Sequence, residues 1–128
     1  MKTILFISIC LFAGIFYACK KSPEIHSLST EKFGELITDN NVQLVDVRTA
    51  AEYAEGHLPG AININVLDEH FDKVAQQLLT ADAPVAVYCK SGRRSKKAAQ
   101  QLTQAGYQVY DLDKGIQGWE KAGKEIIQ

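Results

Sequence analysis

Cysteine is scarce in this chain, and its placement excludes two common uses of sulfur. Three occur in 128 residues, of which Cys10 and Cys19 lie in an apolar N-terminal stretch and Cys89 stands alone in the remainder. No pair can staple the body, and no C-x-x-C spacing offers a zinc site, so neither disulfides nor a metal or other cofactor is expected. Proline is equally sparse, with three residues, and no low-complexity tract or repeat appears. An excess of one charge is lacking too. Beyond the first 19 residues the chain carries 13 basic and 15 acidic residues, a formal charge of −2, which gives no electrostatic ground for a nucleic-acid partner. The longest apolar stretch falls short of the roughly 20 residues that a bilayer-spanning helix needs.

That stretch is read as an address. Lys2 supplies the positive start, and Thr3 to Ala18 is apolar apart from Thr3, Ser8 and Gly14, the pattern of a secretory signal. It has no polar face and so does not suit a helix packed on the domain. An ordinary cleavage site is poorly served by Phe16. Phe16-Tyr17-Ala18-Cys19 instead resembles a bacterial lipoprotein box, with Phe16 and Tyr17 departing from the common residues. The expectation is export to the cell envelope or periplasm, with Cys19 lipidated and the protein held at the membrane. An uncleaved anchor and plain secretion are the alternatives. Residues 1–19 are thus the leader, 20–24 a polar tether, and 25–128 one domain, a size that supports a single layered core.

Along the body, apolar runs of strand length alternate with helical periodicity. Strands are expected at Ile25–Leu28, Val42–Val45, Ala61–Ile64, Val85–Tyr88 and Tyr107–Leu112. Between them, Ser29 or Thr30 caps a helix bearing Phe33, Leu36 and Ile37, and Ala50–Glu55 forms a short helix closed by Gly56. Phe71, Val74, Leu78 and Leu79 give a buried stripe. A helix from Ser95 turns Ala98, Ala99, Leu102 and Ala105 inward and ends at Gly106, and a last helix runs from Ile116 to Ala122. The alternation predicts an α/β sandwich around a mainly parallel sheet.

In such sheets the ligand crevice lies at the carboxyl ends of the strands, which is where Cys89 falls. On count alone a lone thiol is a buried small hydrophobe or a nucleophile. The residues that follow favour the second. The loop Lys90-Ser91-Gly92-Arg93-Arg94-Ser95 leads into a helix whose N-terminus favours an anion. Gly92 lets successive N–H groups converge. Five cations fall between Lys90 and Lys97 with no acid among them. Such surroundings favour the thiolate, the attacking species. Arg93 and Arg94, placed in the loop, are assigned to substrate, whereas Lys96 and Lys97 are read as a solvated helix face.

Three segments carry a family resemblance: Leu44-Val-Asp-Val-Arg48 with Glu52-Tyr53 and Gly56-His-Leu-Pro-Gly-Ala-Ile-Asn63; Val85 to Ser95; and Leu112 to Gly123 with Gly115, Trp119 and Gly123. In this order they resemble the signatures of rhodanese-type sulfurtransferase domains, over essentially all of Ile25–Ile126. Lys114 departs, standing where the family usually has the first of two glycines. The resemblance implies a five-stranded sheet with helices on both faces. It also implies a relay in which Cys89 takes the outer sulfur of a small anionic donor such as thiosulfate, holds it as a persulfide, and yields it to cyanide or a thiol. The loop from Lys90 to Ser95 would bind the donor, in a protein expected to act as a monomer.

Asp46, Arg48, Glu52 and His57 could form an acid–base set, but opposite charges at a strand end, a helix start and a turn suit ion pairs that support the loop. His57 is read as fixing its turn, His26 and His70 as surface residues, Trp119 as core. Two other functions compete. A cysteine-loop phosphatase needs Cys, five residues, then Arg, and that position holds Ser95. A non-catalytic rhodanese-like module that binds a partner would be expected to lose the cysteine or the loop cations, and both are present.

Overall fold

The computed structural model describes residues 25–128; the leader, the tether, Cys10 and Cys19 lie outside it. In chain order the elements are β1 (His26–Leu28), α1 (Thr30–Leu36), β2 (Gln43–Asp46), α2 (Ala50–Glu55), β3 (Ile62–Asn63), α3 (Phe71–Leu78), β4 (Val85–Tyr88), α4 (Arg93–Gln104), β5 (Val109–Leu112) and α5 (Gly115–Lys121). The five strands form one sheet in the order β1-β5-β4-β2-β3, and every pairing within it is parallel. The expected α/β architecture is therefore present, with five strands.

Alternating side chains divide the core into two layers. Val45, Val85, Val87 and Val109 join Phe71 and Ala75 of α3 and Ala98, Ala99 and Leu102 of α4. Leu44, Ala86, Tyr88 and Leu112 face the other way, onto Phe33 of α1, Tyr53 of α2, and Ile116 and Trp119 of α5. Helices thus cover both faces, and central β4 is buried along its whole length.

Local chemistry sets the helix starts. The Ser29 hydroxyl accepts the Lys32 N–H at 3.2 Å and caps α1. At α2, Thr49 and Glu52 form a reciprocal capping box. Two stripe positions differ from expectation. Leu78 is 57% exposed and Ala105 is exposed. Each lies at the end of its helix, where the chain turns off the sheet, and Leu79 and Tyr107 take the buried places instead.

The chain steps outward from β2 to β3, then returns to β4 on the other side of β2 and goes on to β5. The winding direction reverses between β2 and β4, and a crevice opens at such a reversal beyond the carboxyl ends of the strands. Asp46-Val47-Arg48 and Cys89-Lys90-Ser91 leave the sheet there.

Candidate active site

Cys89 is 1% exposed and packs within the cluster that includes Val47, Val87 and Ala98. One side of the sulfur meets apolar core and the other meets polar groups of the loop. The Gly92 N–H donates to Sγ at 3.1 Å, and the buried Ser95 Oγ lies 3.5 Å away. Arg93, Arg94 and Ser95 form the first turn of α4, where a helix leaves N–H groups without intrahelical acceptors. The loop therefore sets one N–H directly on the sulfur and places the start of α4 beside it.

Two glycines allow this curvature. Gly92 is left-handed, with φ 100°, and a Cβ on it would lie 2.1 Å from the Asp113 carbonyl oxygen. Gly115, with φ 61°, brings α5 so close that its Cβ would lie 2.3 Å from the Lys90 carbonyl oxygen. That approach lets the Ile116 N–H donate to the Cys89 carbonyl at 2.9 Å and the Gln117 N–H to the Lys90 carbonyl at 3.1 Å. The orphan donors of α5 are satisfied by the loop, which is fixed in turn.

Ion pairs brace the rest. Arg94 forks onto Glu52 with distances of 2.7 and 2.8 Å. This bond holds the Glu52 carboxyl down at about 2 and raises Arg94. Arg48 Nη2 donates to Asp46 Oδ2 at 2.7 Å and to the Gly56 carbonyl at 2.6 Å. Burial works against the Arg48 charge, but the bond to Asp46 together with the negative charge around it outweighs burial, and its pKa is raised. Its guanidinium also lies 5.8 Å from the centre of the Tyr88 ring. The Tyr88 hydroxyl accepts the Leu58 N–H at 3.1 Å, and burial pushes that phenol up. His57 Nδ1 is 2.9 Å from the Tyr53 carbonyl, its ring stacks on Tyr53 at 3.8 Å, and its backbone pairs with Ile127. These contacts fix a turn, as expected.

The rhodanese-like domain family matches residues 29–122. The chain belongs to that family. A sulfurtransferase from Allochromatium vinosum is 33% identical over 105 residues, covering 80% of this chain and 95% of the relative. The thiosulfate sulfurtransferase GlpE of Shewanella oneidensis is 35% identical over 97 residues, covering 74% and 92%. Among solved structures, a rhodanese-related protein from Thermoplasma volcanium superposes with a TM-score of 0.70 at 30% identity, covering 80% of this chain and 97% of that one. A rhodanese-like domain from Anabaena matches with a TM-score of 0.71 over 81% of this chain and 80% of that one; at 21% identity it speaks to the fold alone.

In this rhodanese-like domain the five cations near the sulfur divide differently from expectation. The helix begins at Arg93, not near Ser95, so both arginines belong to its first turn. Arg94 is engaged by Glu52, while the exposed Arg93 and Lys90 have no ion-pair partner among the described residues. Lys97 is exposed. Lys96 is only partly solvated: its Nζ lies 3.0 Å from Asp113 Oδ1, 3.3 Å from buried Asp111 Oδ2 and 3.3 Å from the Gly92 carbonyl. Burial opposes its charge, but the bond to Asp113 and the charge of Asp111 raise its pKa. Sequence reasoning missed this brace because it depends on β5 lying beside β4. His26 and His70 are exposed as expected, and Trp119 is core. Lys114, the departure from the family pattern, has φ −94°, which any residue adopts, so the turn accepts it.

Proposed function

We propose that this protein is a thiosulfate-type sulfurtransferase working through a persulfide on Cys89. The observation that carries the reading is the 3.1 Å contact from the Gly92 N–H to Cys89 Sγ, at the mouth of a loop of helix-start dipoles. The family membership and the sulfurtransferase names of its relatives support the same class of chemistry.

The Cys89 thiolate attacks the outer sulfur of thiosulfate. A bond forms from Sγ to that sulfur, the S–S bond of thiosulfate breaks, and its electron pair leaves with sulfite. The outer sulfur, now carrying negative charge, rests in the loop as an oxyanion rests in its hole. A thiol or cyanide then attacks that sulfur and returns the electron pair to Sγ. Only the terminal sulfur of the donor has to reach Cys89, so burial of the thiol suits a small donor. Lys90 and Arg93, which have no ion-pair partner among the described residues, gather the dianion, whereas Arg94, Glu52, Asp46, Arg48 and His57 hold the loop's supports.

The proposal extends to placement. The protein is exported and tethered by a lipid on Cys19, acting as a monomer in the cell envelope. A lipidated Cys19 would leave Cys89 without an intramolecular disulfide partner in an oxidising compartment. A fatty-acid probe should label the wild type and not Cys19→Ala.

Intact mass spectrometry tests the chemistry. Thiosulfate should add one sulfur atom to the wild type, cyanide should remove it, and Cys89→Ser should show neither change. Equal gain and loss of sulfur by Cys89→Ser would sink the mechanism.

A further inference from the structure

The ammonium of Lys96 closes a pocket of oxygens between α4 and β5. Its Nζ lies 3.0 Å from Asp113 Oδ1, 3.3 Å from Asp111 Oδ2 and 3.3 Å from the Gly92 carbonyl. An ammonium has three N–H donors and no acceptor, so these oxygens use it fully. The pocket follows from the topology. β5 lies beside β4 with Asp111 level with Val87. Asp113 follows the end of β5, and its N–H donates to the Leu28 carbonyl at 3.0 Å. Lys96 stands one turn into α4. A helical side chain leans back toward the start of its helix, which carries this ammonium over Gly92.

Two observations mark the pocket as a cation site that acts on the sulfur. Asp111 is wholly buried, Ser27 Oγ donates to its Oδ2 at 3.0 Å, and its Oδ1 has no partner among the described residues. A buried carboxylate so poorly supplied needs a cation beside it. The second is the position of Gly92, whose N–H donates to Cys89 Sγ at 3.1 Å. The residue that Lys96 holds through its carbonyl is therefore the one that meets the sulfur through its N–H. Carboxylates offset the Lys96 charge, so it adds little attraction for a dianion, unlike the exposed Lys90 and Arg93.

We propose that Lys96 is a positioning residue for sulfur transfer, its ammonium seated in a pocket of Asp111, Asp113 and Gly92 that keeps the Gly92 N–H on the Cys89 sulfur, and that this pocket accepts a free primary alkylammonium ion when Lys96 is truncated. The inference rests on the persulfide relay proposed above. In its first half, Sγ bonds the outer sulfur of thiosulfate as the S–S bond of thiosulfate breaks and the electron pair leaves with sulfite. The Gly92 N–H holds the attacking thiolate in place. Loss of the tie should therefore lower the maximal rate of loading and leave the thiosulfate KM unchanged.

Truncation with chemical rescue tests it. Lys96→Ala removes three methylenes and the ammonium, the size of a propylammonium ion. Loading of Cys89 by thiosulfate, followed by mass, should slow about ten-fold, less than the hundred-fold or more lost when such a donor is removed outright. Propylammonium chloride should restore most of the rate and raise the melting temperature of Lys96→Ala, and do neither for the wild type. Tetramethylammonium, a cation without N–H, should have no effect at equal ionic strength. In Lys96→Ala/Asp111→Leu the rate should stay low and propylammonium should not raise it. The Gly92 amide resonance reports the tie itself, and should move in Lys96→Ala and return with propylammonium. Wild-type loading by Lys96→Ala, or equal rescue by tetramethylammonium, overturns the proposal. Should Lys96→Ala fail to fold, Asp113→Ala gives a second reading, because Asp113 is 42% exposed and less costly to remove. It should load a few-fold more slowly with little change in melting temperature, and an unchanged rate overturns the proposal. If Cys89 takes up no sulfur while the Gly92 resonance moves and returns as stated, the relay falls and the pocket stands. If sulfur loads at a rate indifferent to Lys96, the positioning role falls and the relay stands.

Discussion

Arg94 grips Glu52 with both arms of its guanidinium, at 2.7 and 2.8 Å, and so ties the first turn of α4 to the first turn of α2. Its neighbour Arg93 points to solvent with no ion-pair partner among the described residues. Adjacent arginines therefore do different work. Arg94→Gln should cost about 1 kcal/mol of stability, the upper range for a partly exposed pair, and lower kcat/KM for every sulfur donor. Arg94→Lys should not restore it, because an ammonium cannot fork onto both oxygens. Urea unfolding beside kinetics with thiosulfate and an uncharged donor checks this. Identical behaviour of Arg93→Gln and Arg94→Gln would defeat the distinction.

Lys90 and Arg93 are loop cations with no ion-pair partner among the described residues, so Lys90→Gln and Arg93→Gln should each raise the thiosulfate KM by on the order of 1 kcal/mol, with stability unchanged. Added salt should weaken thiosulfate turnover in the wild type and weaken it less in these variants. An uncharged donor should barely respond to either. If the thiosulfate KM and its salt dependence survive both substitutions, the cations are only a solvated surface.

The same pair sets a pH dependence. Glu52 is held at about 2 by Arg94, below the ordinary carboxylate value of about 4.3 in an unfolded chain. Its contribution to stability is complete above that ordinary value and is lost as pH falls toward 2. The pair is about a quarter exposed, which limits the effect to about 1 kcal/mol. Wild-type stability minus that of Glu52→Gln should therefore shrink between pH 5 and pH 2. Other carboxylates, such as Asp113, which Lys96 also holds low, cancel in that difference. A gap constant with pH would show that the ion pair contributes nothing.

Much of this arrangement is legible in residues near one another in sequence. Val85–Tyr88 reads as a buried strand that delivers Cys89 to its end, and Gly92 as the point where the loop must curve. Thr49-Ala-Ala-Glu52 carries the spacing of a capping box, a signal that marks the start of α2. What is not legible comes from distant segments. Whether Arg93 or Arg94 meets Glu52 depends on how α4 leaves the loop, and its start at Arg93 rather than near Ser95 decides the outcome. Lys96 looks like a surface residue until β5 is known to lie beside β4, which brings Asp111 beneath it. The clamp of α5 on the loop is made of backbone groups, which no side-chain pattern announces.

Gly92→Ala should test the curvature directly. The left-handed backbone alone disfavours a side chain by about 1 kcal/mol or more, and the Asp113 carbonyl occupies the space of the new methyl. The loop must shift to relieve the clash, carrying the Gly92 N–H away from Sγ. Loss of about 3 kcal/mol in urea unfolding, together with slower persulfide loading, is the expected result. Wild-type loading in a stable Gly92→Ala protein would mean that this N–H does not act on the sulfur.

Lys96 reaches three groups at once, the carboxylates of Asp111 and Asp113 and the carbonyl of Gly92. It therefore couples β5 to Gly92, the loop residue whose N–H faces Cys89. Asp111 is wholly buried; Ser27 Oγ donates to its Oδ2 at 3.0 Å, and its Oδ1 has no partner among the described residues. Removing Lys96 leaves that carboxylate with a single hydroxyl for company, and an uncompensated buried charge is costly. Because Lys96 is itself 44% exposed, Lys96→Met should cost about 2 kcal/mol, below the range for a fully buried pair. Persulfide loading should also slow, since Gly92 loses the tie that holds it beside the sulfur. Asp111→Leu in the same protein removes the stranded charge and should recover most of the stability. It should not recover the loading rate, because the Gly92 carbonyl remains untied. A double-mutant cycle on unfolding free energy and loading rate separates the two effects. Should both recover together in the double variant, Lys96 acts only by neutralising Asp111. Should neither change in Lys96→Met, the brace holds nothing.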